Sequence, residues 1–295
     1  MDFESLLIPK LFSSIKPPGP SSFGHVSWVK RRVKPKGKFG HFGTLDPFAS
    51  GVLVMGIDGA MRFNQYLQDE FEKSYLAIGK IGIKTDSGDK EGKPVNESSR
   101  IPTKNEFLSA LSEFKGEYLQ SPPYYSAVKY NGRPLYEYAR KGEFIDRPAV
   151  KRHVYNLELI SLRANYIVFK ASVSKGTYIR KLFEDICESL GVCGHLHGLI
   201  RDEVGPFNLK TSMTKYHIDN IGSYIIDKSL PIYKVLDREI IDLNNDLAQK
   251  FVNGLKMDLE KSPGQYWVKT DNFYLGLGSI ESGVLKSDIG FSRKS

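Results

Sequence analysis

Asp46 is the first acidic residue after Glu4, and it ends a stretch from Ser5 to Leu45 that holds eight lysines and arginines and no acid. Around it the chain reads Gly40-His41-Phe42-Gly43-Thr44-Leu45-Asp46-Pro47, then enters the apolar run Gly51 to Ile57. A lone carboxylate beside a cationic segment suits an acid that works on a polyanion. An arbitrary aspartate in such a loop is more often a turn or cap residue, and it is the charge segregation that tilts this one towards chemistry. Arg180 is the second unusual position. It falls in the first turn of an expected helix, where the dipole disfavours a cation by a few tenths to ~1 kcal/mol. Facing an anion, either a phosphate or a carboxylate such as Asp46, would offset that cost. A partly buried aspartate paired with arginine stays ionised at neutral pH, the state a nucleophile or base requires.

The eight cations account for the whole net charge of +8, which points to a phosphate-rich partner. The chain has 295 residues, 40% of them hydrophobic, enough for a large domain and a small one. No apolar run approaches the ~18 residues of a membrane-spanning helix. The start, Met-Asp-Phe-Glu-Ser, carries acids where a secretory signal carries basic residues. A cytoplasmic protein without membrane attachment is expected. Two cysteines, Cys187 and Cys193, are too few for a disulfide framework. Cys193, His195 and His197 alternate, but no second cluster supplies the remaining ligands, so no metal site is expected.

The elements that must position the two charges follow from periodicity. Phe23, Val26, Val29 and Val33 recur at helical spacing behind a Ser-Ser cap, with Lys30, Arg31 and Arg32 at the carboxyl end. Gly51 to Ile57 reads as a buried strand, and Ala60, Phe63 and Leu67 as a short helix. From Lys73 to Ile81 alternation places Tyr75, Ala77, Gly79 and Ile81 on one strand face. Thr85 to Gly92 is a polar loop whose spaced acids resemble half a calcium loop, but it lacks the terminal bidentate glutamate and reads as a plain loop. Thr103 and Glu106 form a capping box before an amphipathic helix. Ser126 to Tyr130, Asn131-Gly132 and Leu135 to Arg140 read as strand, turn and helix; Val154–Leu162 and Asn165–Val173 read as strands. Thr177 is the expected cap of the helix that ends at Gly191. Short strands and separated helices without a βαβ rhythm predict an α+β fold. The pattern changes near Thr214, which divides the chain into residues 1–214 and a compact, mostly β appendage over 215–295.

These motifs, in this order, resemble the TruB family of tRNA pseudouridine synthases from about Lys16 to Phe207. Gly40-His41-x-Gly43-Thr44-Leu45-Asp46-Pro47 is similar to the family's catalytic block, and Lys16-Pro17-x-Gly19-x-Ser21-Ser22 to its amino-terminal motif. Lys73-x-Tyr75, Thr85-Asp86-x-x-Asp89-x-x-Gly92, Tyr125 to Lys129, Leu135 to Arg140 and Val173 to Arg180 resemble further blocks. Three departures stand out. Ile15 replaces an aspartate, and Leu199-Ile200-Arg201 replaces Leu-Arg-Arg, leaving Arg201 as that block's cation; Asp58 to Arg62 is an altered Gly-Glu-Ala-Thr-Lys type segment.

The resemblance implies a largely antiparallel mixed sheet of the pseudouridine synthase type and a short PUA-like carboxyl-terminal domain. It implies isomerisation of uridine 55 in the T loop of tRNA, with Asp46 starting the reaction and Arg180 orienting it. Tyr75 would stack on the flipped base and assist late proton removal from C5. His41 would occupy the gap left by the extruded nucleotide, while Tyr178 and Leu199 line the uridine pocket. Lys16, Lys38 and Arg201 would contact RNA. The rearrangement involves no redox change, so it implies no metal or organic cofactor, and the T arm of tRNA is the only partner required. Two alternatives remain: a non-catalytic tRNA-folding chaperone, or a partner-dependent rRNA pseudouridine synthase subunit, which the short appendage without a lysine-rich tail disfavours.

Overall fold

The computed structural model describes residues 3–293. Its main body contains β1 (Lys10–Lys16), α1 (Ser22–Val33), β2 (Ser50–Ile57), β3 (Lys73–Ile81), α2 (Lys104–Glu113), β4 (Gly116–Gln120), β5 (Val150–Arg163), β6 (Tyr166–Val173), α3 (Ile179–Ser189) and β7 (Gly194–Val204). The strands form one sheet in the order Leu230–Pro231, β1, β2, β7, β3, β6, β5, β4. All of these neighbours are antiparallel except β2 and β7, which run parallel through Ser50–Ile200 and Gly51–Arg201. The fold is the expected α+β class with a mixed, largely antiparallel sheet.

The continuous apolar run of β2 has a packing reason, because both of its faces are covered. Leu53, Met55 and Ile57 pack with Val26, Val29 and Val33 of α1. Val52 and Val54 join a second core that extends to Trp267, Leu275 and Phe291. The alternating strand β3 buries Tyr75, Ala77, Gly79 and Ile81 on the face covered by α2 and α3. Gly79 allows that approach, since a Cβ there would lie 2.1 Å from the ring of Phe183 on α3. On the opposite face Leu76 and Ile78 are half-buried.

Helix α2 begins with the Thr103–Glu106 capping box that the sequence predicts. Helix α3 departs from expectation. Its cap position is Tyr178, in extended conformation, and no side chain caps it. Gln120, at the end of edge strand β4, holds that residue instead: its Oε1 accepts from the Tyr178 N–H at 2.8 Å and its Nε2 donates to the Tyr178 carbonyl at 3.1 Å. A side chain 58 residues away thus replaces the local Thr177 cap. Strand β1 had no alternating signal because it buries Ser13, Ser14 and Lys16 beside its apolar residues.

Beyond the first sheet, β8 (Ile240–Asp242), α4 (Asn245–Val252), β9 (Gly264–Thr270), β10 (Phe273–Glu281) and β11 (Val284–Gly290) build a small five-stranded sheet with Met257–Asp258. This is the mostly β appendage. Phe63, Trp267 and Phe291 pack with ring centroids 5.8–6.4 Å apart, and the Trp267 indole donates to the Leu236 carbonyl at 2.8 Å. Arg62, in the segment that departs from the family pattern, donates to the Gly290 carbonyl at 2.7 Å. No described helix is long and apolar enough to cross a membrane.

Candidate active site

Asp46 lies between the short strand Gly40–Phe42 and β2, in a loop whose carbonyls are held from behind by two buried cations. Lys16 is fully buried, and its ammonium donates to the carbonyls of Pro17 at 2.8 Å, Pro47 at 3.1 Å and Ala49 at 2.7 Å. Arg201, from β7, donates to Gly43 at 2.9 Å, Thr44 at 3.3 Å and Val52 at 2.8 Å. Ser22 completes the clamp: its hydroxyl donates to the Leu45 carbonyl at 3.0 Å and accepts from the Leu45 N–H at 2.8 Å. The loop is therefore fixed at residues on both sides of Asp46, while the Asp46 side chain remains about one third exposed.

The parallel β2–β7 contact positions Arg201 for this task and requires glycine at residue 51. There φ is +113°, and a Cβ would stand 2.2 Å from the Arg201 carbonyl oxygen. Gly51→Ala is expected to destabilise the protein by about 2–4 kcal/mol, combining overpacking with backbone strain. Urea unfolding would measure this, and an unchanged midpoint would refute the close approach.

Arg180 meets Asp46 as the sequence suggested. Its Nε lies 2.8 Å from Oδ2 and its Nη2 3.2 Å from Oδ1, a two-pronged contact that fixes the carboxylate plane. Nη2 also donates to the Tyr125 carbonyl at 2.9 Å, and Nη1 donates to the Ser87 carbonyl. The guanidinium is 3% exposed, and Asp89 stands 3.7 Å from its Nε. Burial works against its charge, but Asp46 and Asp89 outweigh burial, so its pKa lies above the ordinary arginine value. The segment Thr85 to Gly92, read from the sequence as a plain polar loop, is thus packed on Arg180. Its Asp89 also accepts from the Ser87 hydroxyl at 2.8 Å and the Glu91 N–H at 3.0 Å.

Asp46 sits on the rim shared by two cavities. The smaller, of about 250 Å³, is lined by Asp46, Lys73, Tyr75, Tyr178, Leu199 and Arg201 together with loop residues. Tyr75 and Leu199 form apolar walls, as their strands alternate in register: Leu199 lies opposite Ala77 and Arg201 opposite Tyr75. Ile200 pairs with Leu76 and turns to the other face of the sheet. The departure at residue 200 therefore removes no cation beside Asp46, contrary to what the bare motif suggested. The larger cavity, of about 680 Å³, is bordered by His41, Asp46, Tyr136, Arg140 and Arg180. His41 Nδ1 is buried there without a hydrogen-bond partner. Burial first, and Arg201 second, push the His41 pKa down, so the ring is neutral at pH 7.

Lys73 opens the Lys73-x-Tyr75 motif, but sequence reasoning gave it no role in the site. It is buried, and its ammonium donates to Gln68 Oε1 at 3.2 Å. Burial, then Arg201, lowers its pKa to about 8; burial likewise lowers that of Lys16 to about 8. Asp89 was likewise named only within its motif, and Gln120 was missed. In the cationic segment, Lys30, Arg31, Lys34, Lys36 and Lys38 are exposed and lack an ion-pair partner among the described residues. Arg32 is committed elsewhere, pairing with Asp219 and covering the Trp28 ring at 4.2 Å.

A cavity of about 250 Å³ with an arginine-clamped aspartate at its rim, an aromatic wall and exposed lysines in the preceding segment suits an enzyme that acts on a nucleotide of RNA. Residues 30–179 match the family model described as TruB family pseudouridylate synthase (N terminal domain). The chain is 39% identical over 249 residues to tRNA pseudouridine synthase B of Hydrogenovibrio crunogenus, covering 83% of this chain and 80% of that protein. It is 41% identical over 243 residues to tRNA pseudouridine synthase B of Caldanaerobacter subterraneus subsp. tengcongensis, covering 81% and 83%. The protein belongs to the TruB family of pseudouridylate synthases. Its fold is also that of the crystal structure of a Cbf5-Nop10-Gar1 complex, with a TM-score of 0.69 and 24% identity, over 100% of this chain and 87% of the other.

Proposed function

We propose that this protein converts uridine to pseudouridine in tRNA, at position 55 of the T loop, and that Asp46 begins the reaction. The observation that carries the reading is the Asp46–Arg180 pair held at the rim of the cavity walled by Tyr75 and Leu199. The target base must leave its stack to reach that rim. Tyr75 receives it, and stacking on an aromatic contributes ~1–3 kcal/mol, enough to offset much of the unstacking cost. His41 fills the space vacated by the extruded nucleotide. Asp46 then acts while Arg180 holds the carboxylate plane; the glycosidic C–N bond breaks, the uracil rotates, and C5 joins the ribose. Tyr75 assists removal of the C5 proton. Residues 1–214 act as the catalytic domain and 215–295 as a short PUA-like appendage. Relatives named tRNA pseudouridine synthase B support tRNA as the substrate.

The test is tritium release from a tRNA transcript labelled at uridine C5, with the purified protein alone. Release that disappears when the T-loop uridine is replaced would support the reading. Tight binding without release would favour the chaperone or partner-dependent alternative. The exposed cations Lys34, Lys36 and Lys38 directly precede the site loop in the sequence and would contact the RNA backbone. Replacing all three with glutamine is expected to weaken tRNA binding and flatten the log–log salt slope by about 2. An unchanged slope would move the RNA path elsewhere.

A further inference from the structure

The cavity below Asp46 has a cationic end that the reaction as described leaves unused. Each nitrogen of the Arg201 guanidinium donates to a backbone carbonyl, of Gly43, Thr44 or Val52, which ties the group to the frame of the site. Lys73 differs. It lines the same cavity as Asp46 and Tyr75, is buried, and has Gln68 as its hydrogen-bond partner. No carboxylate forms an ion pair with it among the described residues, and an ammonium carries three donors. Burying a cation without a counter-charge is costly, so its position calls for an anion that arrives during function.

We propose that Lys73, steadied by Gln68, binds the uracil ring and takes up the negative charge that develops when its glycosidic bond breaks. The proposal rests on the function argued above. When the C1′–N1 bond breaks, its electron pair goes to N1 and spreads over O2 and O4. The Lys73 ammonium donates a hydrogen bond to one of these oxygens and keeps its proton. C1′, left electron-poor beside the Asp46 carboxylate, then bonds to C5. The C5 proton leaves to water with help from Tyr75, and its electron pair restores the C5–C6 double bond. N1 takes up a proton from water, so the base ends neutral. The charge develops only as the bond breaks, so this contact favours the transition state over the bound ground state. A backbone phosphate is the competing anion. A cavity of about 250 Å³ enclosed by Tyr75 and Leu199 suits a flipped base better than a phosphodiester on the outer strand.

The experiment compares the full chain with Lys73→Met, Lys73→Gln and Gln68→Glu in single-turnover assays on a tRNA transcript. Each Lys73 variant is expected to slow product formation about a hundredfold, the scale for losing one donor to a developing anion, with unchanged tRNA affinity and salt slope. A transcript carrying 5-fluorouridine at the target supplies the second arm, because fluorine makes the uracil anion easier to form. There the defect should shrink at least several-fold, read as loss of 5-fluorouridine from nucleoside digests. An equal defect on both transcripts, or a rate near wild type, would overturn the proposal. Weaker binding with a flatter salt slope would also overturn it, assigning Lys73 to a phosphate. If the Lys73 variants do not fold, Gln68→Glu carries the same test by placing a fixed carboxylate against Lys73, and a wild-type rate there refutes the role. Inactivity of the wild type on both transcripts would instead refute the functional reading itself.

Discussion

Asp46→Asn is expected to lower turnover on tRNA at least about a thousandfold while leaving tRNA affinity nearly unchanged. The amide matches the carboxylate in shape, and the loop that presents it is fixed by Lys16, Arg201 and Ser22 rather than by Asp46 itself. What is lost is the anionic oxygen proposed to begin the reaction. Tritium release and filter binding on the same preparation measure the two quantities separately. Retention of even a modest fraction of wild-type turnover would end the assignment of Asp46 as the initiating group.

Arg180→Met carries the second large effect, on stability as well as rate. The guanidinium is 3% exposed and serves Asp46 and the carbonyls of Ser87 and Tyr125 at once. Removing it leaves Asp89 without its buried counter-charge and joins three separate segments by nothing. Breaking a buried pair from one side costs about 3–5 kcal/mol. Turnover is expected to fall with it even at temperatures where the variant stays folded, because the Asp46 plane is no longer held. Arg180→Lys should recover part of the stability but little of the rate, since one ammonium cannot make the two-pronged contact. Equal recovery of both would mean that charge alone matters. Chemical unfolding beside single-turnover kinetics distinguishes these outcomes.

Tertiary pairing explains why some of the site was legible in the sequence and some was not. Asp46 and Arg180 stood out because each broke a local rule: one by charge segregation, the other by sitting as a cation in a first helical turn. Their ion pair joins residues 134 apart, and only complementary chemistry hinted at it. The capping box at Thr103, the alternation of β3 and the buried run of β2 were equally readable, because spacing within one element sets them.

Other assignments depended on what faces a residue across space. Lys16 and Arg201 read as cations available to RNA, yet their hydrogen bonds run to the loop carbonyls that frame Asp46. Thr177 read as the cap of α3, yet Gln120 from a distant edge strand holds that end. Ile200 read as a loss beside the site, yet strand alternation puts it on the far face.

The sequence by itself determined the family, the α+β class, the loop that carries Asp46 and the helix turn that carries Arg180, since local spacing and composition encode these. Only the tertiary structure decided which cations clamp the loop and which, like Lys73, face the cavity. A side chain's charge is written in the sequence, but its partner is set by sheet register and by the segments that pack against it.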